Sequence, residues 1–145
     1  MGKLRDLLLT EGNFPLADYK DPSYKSQAKS VKVPDDIYRQ GQTENEVRKE
    51  VHAYLKKEGW IATTMYTGGI PTGHGLASNP AKGFPDIIAL HPVKRCIIFI
   101  ELKKNKGGTL SPEQQTWHTD LRRCKQKVYV VTSVDLLKQL LEEGT

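Results

Sequence analysis

Pro85-Asp86 stands at the mouth of one apolar run, and Glu101 and Lys103 fall at the end of the next, Cys96 to Lys103. Side chains alternate faces along a strand, so Ile97, Phe99, Glu101 and Lys103 share one face and Cys96, Ile98, Ile100 and Leu102 the other. The turn at Pro92 to Arg95 is short enough to fold Asp86 to His91 and Cys96 to Lys103 into an antiparallel hairpin, which lays the first residues of one strand beside the last of the other. Asp86 and Glu101 therefore converge. Two carboxylates held together repel unless a cation lies between them, and a hard, oxygen-lined site with room for water suits Mg²⁺ or Mn²⁺. Lys103 is then placed to orient or deprotonate a water, or to hold a phosphate oxygen as charge develops. The bland alternative is a strand start at Asp86 and a solvated, salt-bridged edge at Glu101 and Lys103.

The elements that must position these residues follow from periodicity. Thr43 is an N-cap with Glu46 three positions later, and Val47, Val51, Tyr54 and Leu55 recur at helical spacing until Gly59, predicting a helix over 43–58. On that helix Glu44 falls on the Val47, Val51, Leu55 face, Glu50 flanks it, and Glu46 lies off it as a capping acid. Ile61 to Tyr66 reads as a strand, after which Gly68, Gly69, Gly73, Gly75 and Gly83 mark a long flexible loop of functional length. Ser111-Pro112 opens a second helix with Trp117, Leu121 and Cys124 on its apolar face. Val128 to Thr132 is a buried strand, and Ser133 caps a last helix through Leu141. The order is α, β, β, β, α, β, α, with no internal repeat and no Walker, Rossmann or zinc-finger spacing. Gln114 has two readings: it completes a capping box with Ser111, and it shares a face with Trp117 and Leu121.

A chain of 145 residues, 37% hydrophobic and 27% charged, suits one domain with a real core. Residues 1–42 lack sustained periodicity and mix Lys20, Lys25, Lys29 and Lys32 with Tyr19, Tyr24, Pro22 and Pro34, the composition of an arm or linker; within it, Leu4, Leu7 and Leu8 are spaced for one short helix. The folded domain is expected over 43–145. The 22 basic against 17 acidic residues leave a net charge of +5, which favours an anionic partner such as nucleic acid. Cys96 and Cys124 are not spaced as a zinc or redox pair, and reduced buried thiols in an intracellular protein are expected. No apolar stretch approaches the roughly 20 residues of a membrane span, so a cytoplasmic protein is expected.

Pro85-Asp86 followed by Glu101-Leu102-Lys103 resembles the P-D, E-x-K signature of the restriction-endonuclease-like superfamily. Thr43-Glu44-Asn45-Glu46-Val47, Lys82-Gly83-Phe84-Pro85-Asp86, Ile100-Glu101-Leu102-Lys103 and Leu110-Ser111-Pro112-Glu113-Gln114 to Trp117 together resemble the VRR-NUC family, the virus-type replication and repair nucleases. The resemblance implies a three-layer α/β fold with an αβββαβ core, its central mixed sheet flanked by helices. It implies in-line phosphodiester hydrolysis with Asp86, Glu101 and the Leu102 carbonyl on Mg²⁺ or Mn²⁺ and Lys103 serving the attacking water. Glu44 carries over as a metal ligand through water or as a ligand to a second metal, with Glu50 in reserve, and Gln114 as a residue orienting the lysine, water or phosphate. Lys82, Lys104 and Lys106 are expected phosphate contacts, and His74 a substrate contact without a second histidine to make it a zinc ligand. Similarity to stand-alone phage proteins implies branched DNA, such as a four-way junction, as substrate. Since a junction is resolved by two symmetric nicks, a homodimer is expected. A sequence-specific restriction-like enzyme, a structured-RNA nuclease and a catalytically silent nucleic-acid-binding module remain alternative readings on the same fold.

Overall fold

The Thr43 hydroxyl accepts a hydrogen bond from the Glu46 backbone N–H at 3.2 Å, and the Glu46 carboxylate accepts from the Thr43 N–H at 2.7 Å, so the predicted capping box forms. The computed structural model describes residues 30–33 and 41–144; most of the expected arm, with the helix at Leu4, Leu7 and Leu8, lies outside the described residues. In chain order the elements are β1 (Val31–Lys32), α1 (Glu44–Lys57), β2 (Ile61–Thr64), β3 (Ile70–Thr72), β4 (Gly75–Ala77), β5 (Ile87–His91), β6 (Cys96–Leu102), β7 (Thr109–Leu110), α2 (Pro112–Arg123), β8 (Lys127–Val131) and α3 (Val134–Glu143).

The central sheet runs β2-β5-β6-β8. β2 pairs antiparallel with β5 and β5 antiparallel with β6, the predicted hairpin, whereas β8 joins β6 in parallel after the crossover through α2. One sheet face presents Ile87, Ala89, Ile98, Ile100, Leu102, Tyr129 and Val131 to Val47, Val51 and Leu55 of α1 and to Leu136, Leu137 and Leu140 of α3. Removing that contiguous apolar surface from water is the main stabilising term of the domain. The opposite face carries Phe99, Glu101, Val128 and Val130 and is covered by α2. The fold is thus mixed α/β, a four-stranded mixed sheet between helices, as in a restriction-endonuclease-like core.

Several local expectations change. Residues 67–82 are not a flexible loop throughout: β3 and β4 form an antiparallel hairpin with Pro71 opposite Leu76. On α2 the buried stripe is His118 and Arg122, while Trp117 and Leu121 are half-buried and Cys124 is exposed. The physical reason is the surface beneath: α2 covers the sheet face bearing Glu101, so polar side chains are drawn inward, and Trp117 instead stacks edge-on against Phe84 at 4.9 Å. Cys96 is half-buried and both cysteines are free thiols. Before Thr43, β1 pairs antiparallel with β7, and Val33 packs with Leu110 and Val130. Among the described residues no helix is long and apolar enough to cross a membrane.

Candidate active site

The β5–β6 register pairs Ile87 with Ile100, and one further step sets Asp86 level with Glu101 at the end of the sheet. The Leu102 N–H donates to Asp86 Oδ2 at 2.7 Å, fixing that carboxylate against the strand bearing Glu101. Glu101 is only 1% exposed. Its Oε1 accepts from Gln114 Nε2 at 2.6 Å and lies 3.1 Å from Lys103 Nζ. Gln114 Oε1 in turn accepts from Lys103 Nζ at 3.1 Å and from the Ser111 N–H at 2.8 Å. The two readings of Gln114 are therefore one arrangement: the oxygen that completes the α2 cap also holds the lysine, while the amide nitrogen holds the glutamate.

Lys103 lies one residue beyond β6, where its N–H donates to the Val131 carbonyl at 3.0 Å and keeps it in register with the sheet. Its side chain is 12% exposed. Burial pushes the Glu101 carboxyl up to about 7 against the pull of Lys103, and pushes Asp86 up to about 6, with the Glu101 charge adding to the rise. Glu44, in the first turn of α1, is half-buried; desolvation raises its carboxyl, and it feels the charges of Lys103, Asp86 and Arg48. The structure brings Asp86, Glu101, Leu102, Lys103 and Gln114 together, with Glu44 at the rim. Glu50 is turned to Gln42, from whose Nε2 it accepts at 3.0 Å.

Of the expected nucleic-acid contacts, Lys82 pairs with Glu113 at 3.1 Å, Lys104 and Lys106 are exposed beyond β6, and His74 is exposed in the β3–β4 turn. Three contributors escaped sequence reasoning. Arg48 on α1 places Nη2 3.8 Å from Asp86 Oδ1, and its four-residue spacing from Glu44 was the available signal. His118 is 2% exposed with Nε2 3.7 Å from Glu101 Oε2; the same spacing from Gln114 marks it. Burial lowers its imidazole to about 3, so it stands neutral. Gly83 has φ +84°, and a Cβ there would lie 2.5 Å from the Glu113 carbonyl carbon and 2.7 Å from the Gln114 nitrogen. The segment entering Asp86 thus lies directly on the start of α2, which only glycine permits.

Do these residues fit a divalent ion? Among the described residues no group of three or more His, Cys, Asp or Glu is gathered for one. Yet Glu101 Oε2 is buried without a hydrogen-bond partner, and it shares a sheet end with a second carboxylate that burial and charge repulsion hold toward protonation. Unsatisfied buried oxygen beside like charge is what a hard cation relieves, so the donor set fits.

A mixed sheet carrying a paired Asp and Glu with an adjacent lysine at its end is the arrangement that the P-D, E-x-K motifs led one to expect. The model of the VRR-NUC domain family matches residues 77–135, a span that includes Asp86, Glu101, Lys103 and Gln114. The family resemblance carried by the motifs therefore holds across that segment. No curated protein and no solved structure matches the chain.

Proposed function

We propose that this chain is a divalent-metal-dependent DNA endonuclease acting on branched DNA in replication, repair or recombination. The observation that carries the reading is the buried Glu101 paired with half-buried Asp86, with Lys103 held beside Glu101 by Gln114. Asp86, Glu101 and the Leu102 carbonyl would hold Mg²⁺ or Mn²⁺, with Glu44 reaching the site from the rim. A bound ion would polarise the scissile phosphoryl group and lower the pKa of the attacking water.

The chain's own residues do the positioning. A lysine ammonium has three N–H groups, and Glu101 Oε1 and Gln114 Oε1 take two of them. The third is left for the attacking water or for a non-bridging phosphoryl oxygen, where charge grows in the transition state. Neutral His118 closes the inner wall behind Glu101 and brings no competing cation. Arg48 on the other side balances Asp86 and is placed for a neighbouring phosphate.

The test is a panel of labelled linear duplex, flap and four-way-junction DNAs and a structured RNA, incubated with Mg²⁺, Mn²⁺ or EDTA. Cleavage of branched DNA with either metal and none with EDTA is expected, and Asp86→Asn, Glu101→Gln and Lys103→Ala should each abolish it. Mn²⁺ binding by calorimetry should vanish in the two carboxylate variants and survive in Lys103→Ala. Light scattering should give a homodimer, which supplies the two nicks a junction needs. A monomer that cuts flaps but not junctions would remove the junction assignment and leave the metal chemistry.

A further inference from the structure

Among the described residues the β3–β4 hairpin buries nothing on either face: all of Ile70–Thr72 and Gly75–Ala77 is exposed. Pro71 and Leu76 pair on one side, Ile70 and Ala77 on the other. Leu76 is 76% exposed and Ile70 42%, with Tyr66 at the base 67% exposed. A two-stranded hairpin without a packed face is marginal in water, yet this one is fastened at its root. Asn79 Nδ2 donates to the Tyr66 carbonyl at 3.2 Å and the Gly68 carbonyl at 3.0 Å, and Tyr66 OH donates to the Gly69 carbonyl at 2.7 Å. Among the described residues nothing covers this braced apolar projection, which leaves it open to a partner.

Position and charge say what. The Met65 N–H donates to the Asp86 carbonyl at 2.7 Å, and Pro85 precedes Asp86, so the segment bearing the hairpin leaves and rejoins the sheet beside the candidate active site. From Gly59 to Pro85 there is no Asp or Glu, while Lys82 and His74 are present. The segment itself carries no carboxylate to repel a polyanion, although Lys82 is paired with Glu113 of α2. Apolar Leu, Ile and Pro side chains on a projecting element are what proteins insert at base steps whose stacking is weak or broken.

We propose that the β3–β4 hairpin is a nucleic-acid wedge, with Ile70 and Leu76 seated against base faces exposed where duplex stacking is interrupted. This rests on the nuclease reading above and adds the feature by which branched DNA is distinguished from linear duplex.

The experiment uses the full chain with Ca²⁺ replacing Mg²⁺ and DNA carrying 2-aminopurine at the branch point, comparing wild type with Ile70→Ser combined with Leu76→Ser. Both positions are exposed, so thermal melting of the variant should match wild type. Wild type should raise the 2-aminopurine fluorescence on branched DNA. The variant should lose that rise and bind branched DNA about tenfold more weakly, the effect of losing a leucine-sized apolar contact, while its affinity for linear duplex stays within about twofold. Equal fluorescence and affinity in the two proteins would overturn the wedge. So would a shift from dimer to monomer in light scattering with DNA binding unchanged, which would assign the hairpin to a second copy of the chain. Cleavage by wild type in Mg²⁺ separates the two ideas: a wild type that cuts while the wedge test fails sinks only the wedge, and one that neither binds nor cuts any DNA sinks both.

Discussion

Glu101→Gln should make the metal-free protein more stable at pH 8 while abolishing cleavage. Burial is the dominant influence on Glu101 and raises its carboxyl from the ordinary 4.5 to about 7. A group with a raised folded-state pKa contributes stability that is complete below its unfolded value and is lost as pH rises through the folded value. At about 1.4 kcal/mol for each tenfold step, the gap between 4.5 and about 7 corresponds to about 3 kcal/mol lost between roughly pH 4.5 and pH 7. Asp86, raised from 3.8 to about 6, loses stability in the same direction over an overlapping window. The replacement amide keeps an oxygen for Gln114 Nε2 and Lys103 Nζ, and carries no charge to desolvate. Urea denaturation in EDTA, followed by circular dichroism at pH 5 and pH 8, measures both proteins. Wild type should lose stability between the two pH values, and the variant should be flatter and exceed wild type by about 3 kcal/mol at pH 8. Metal should reverse the order at pH 8, because only wild type binds it. A variant weaker than wild type by the same margin at both pH values would refute the reasoning: the Lys103 pair would then outweigh desolvation of the carboxylate.

Glu44→Gln should impair cleavage far more than Glu46→Gln, whose visible effect should be a small thermal shift from the weakened cap; steady-state rates and melting curves on the same preparations would show whether the two roles are exchanged. Gly83→Ala should destabilise the fold by about 3 kcal/mol, from the left-handed backbone and from a Cβ pressed into the start of α2, and should lower activity even where the protein stays folded; unchanged melting would mean that this approach relaxes freely. Gln114→Glu keeps a capping oxygen at the same helix position but replaces the amide donor to Glu101 with a second carboxylate, so helix content should persist while cleavage falls at least about tenfold; full activity would reduce Gln114 to a cap.

Much of the framework was legible because it is local. Apolar runs bounded by Pro85 and by Pro92 to Arg95 specify a hairpin, and a hairpin of that length brings Asp86 level with Glu101. Thr43 and Ser111, each with its partner three residues on, specify where α1 and α2 start. What tertiary structure alone decided is which neighbours face those charges. The stripe of Gln114, His118 and Arg122 was hidden by an apolar pattern at Trp117 and Leu121, because a helix packed over a buried carboxylate gains more from polar side chains than periodicity can reveal. Arg48 reaches Asp86, and Gly83 touches the start of α2, only because separate segments meet in space. The glycine-rich stretch likewise reads as a loop in one dimension. Its hairpin depends on the cross-strand pairing of β3 with β4 and on Asn79 bonding back across the root to Tyr66 and Gly68, contacts that exist only once the chain has folded.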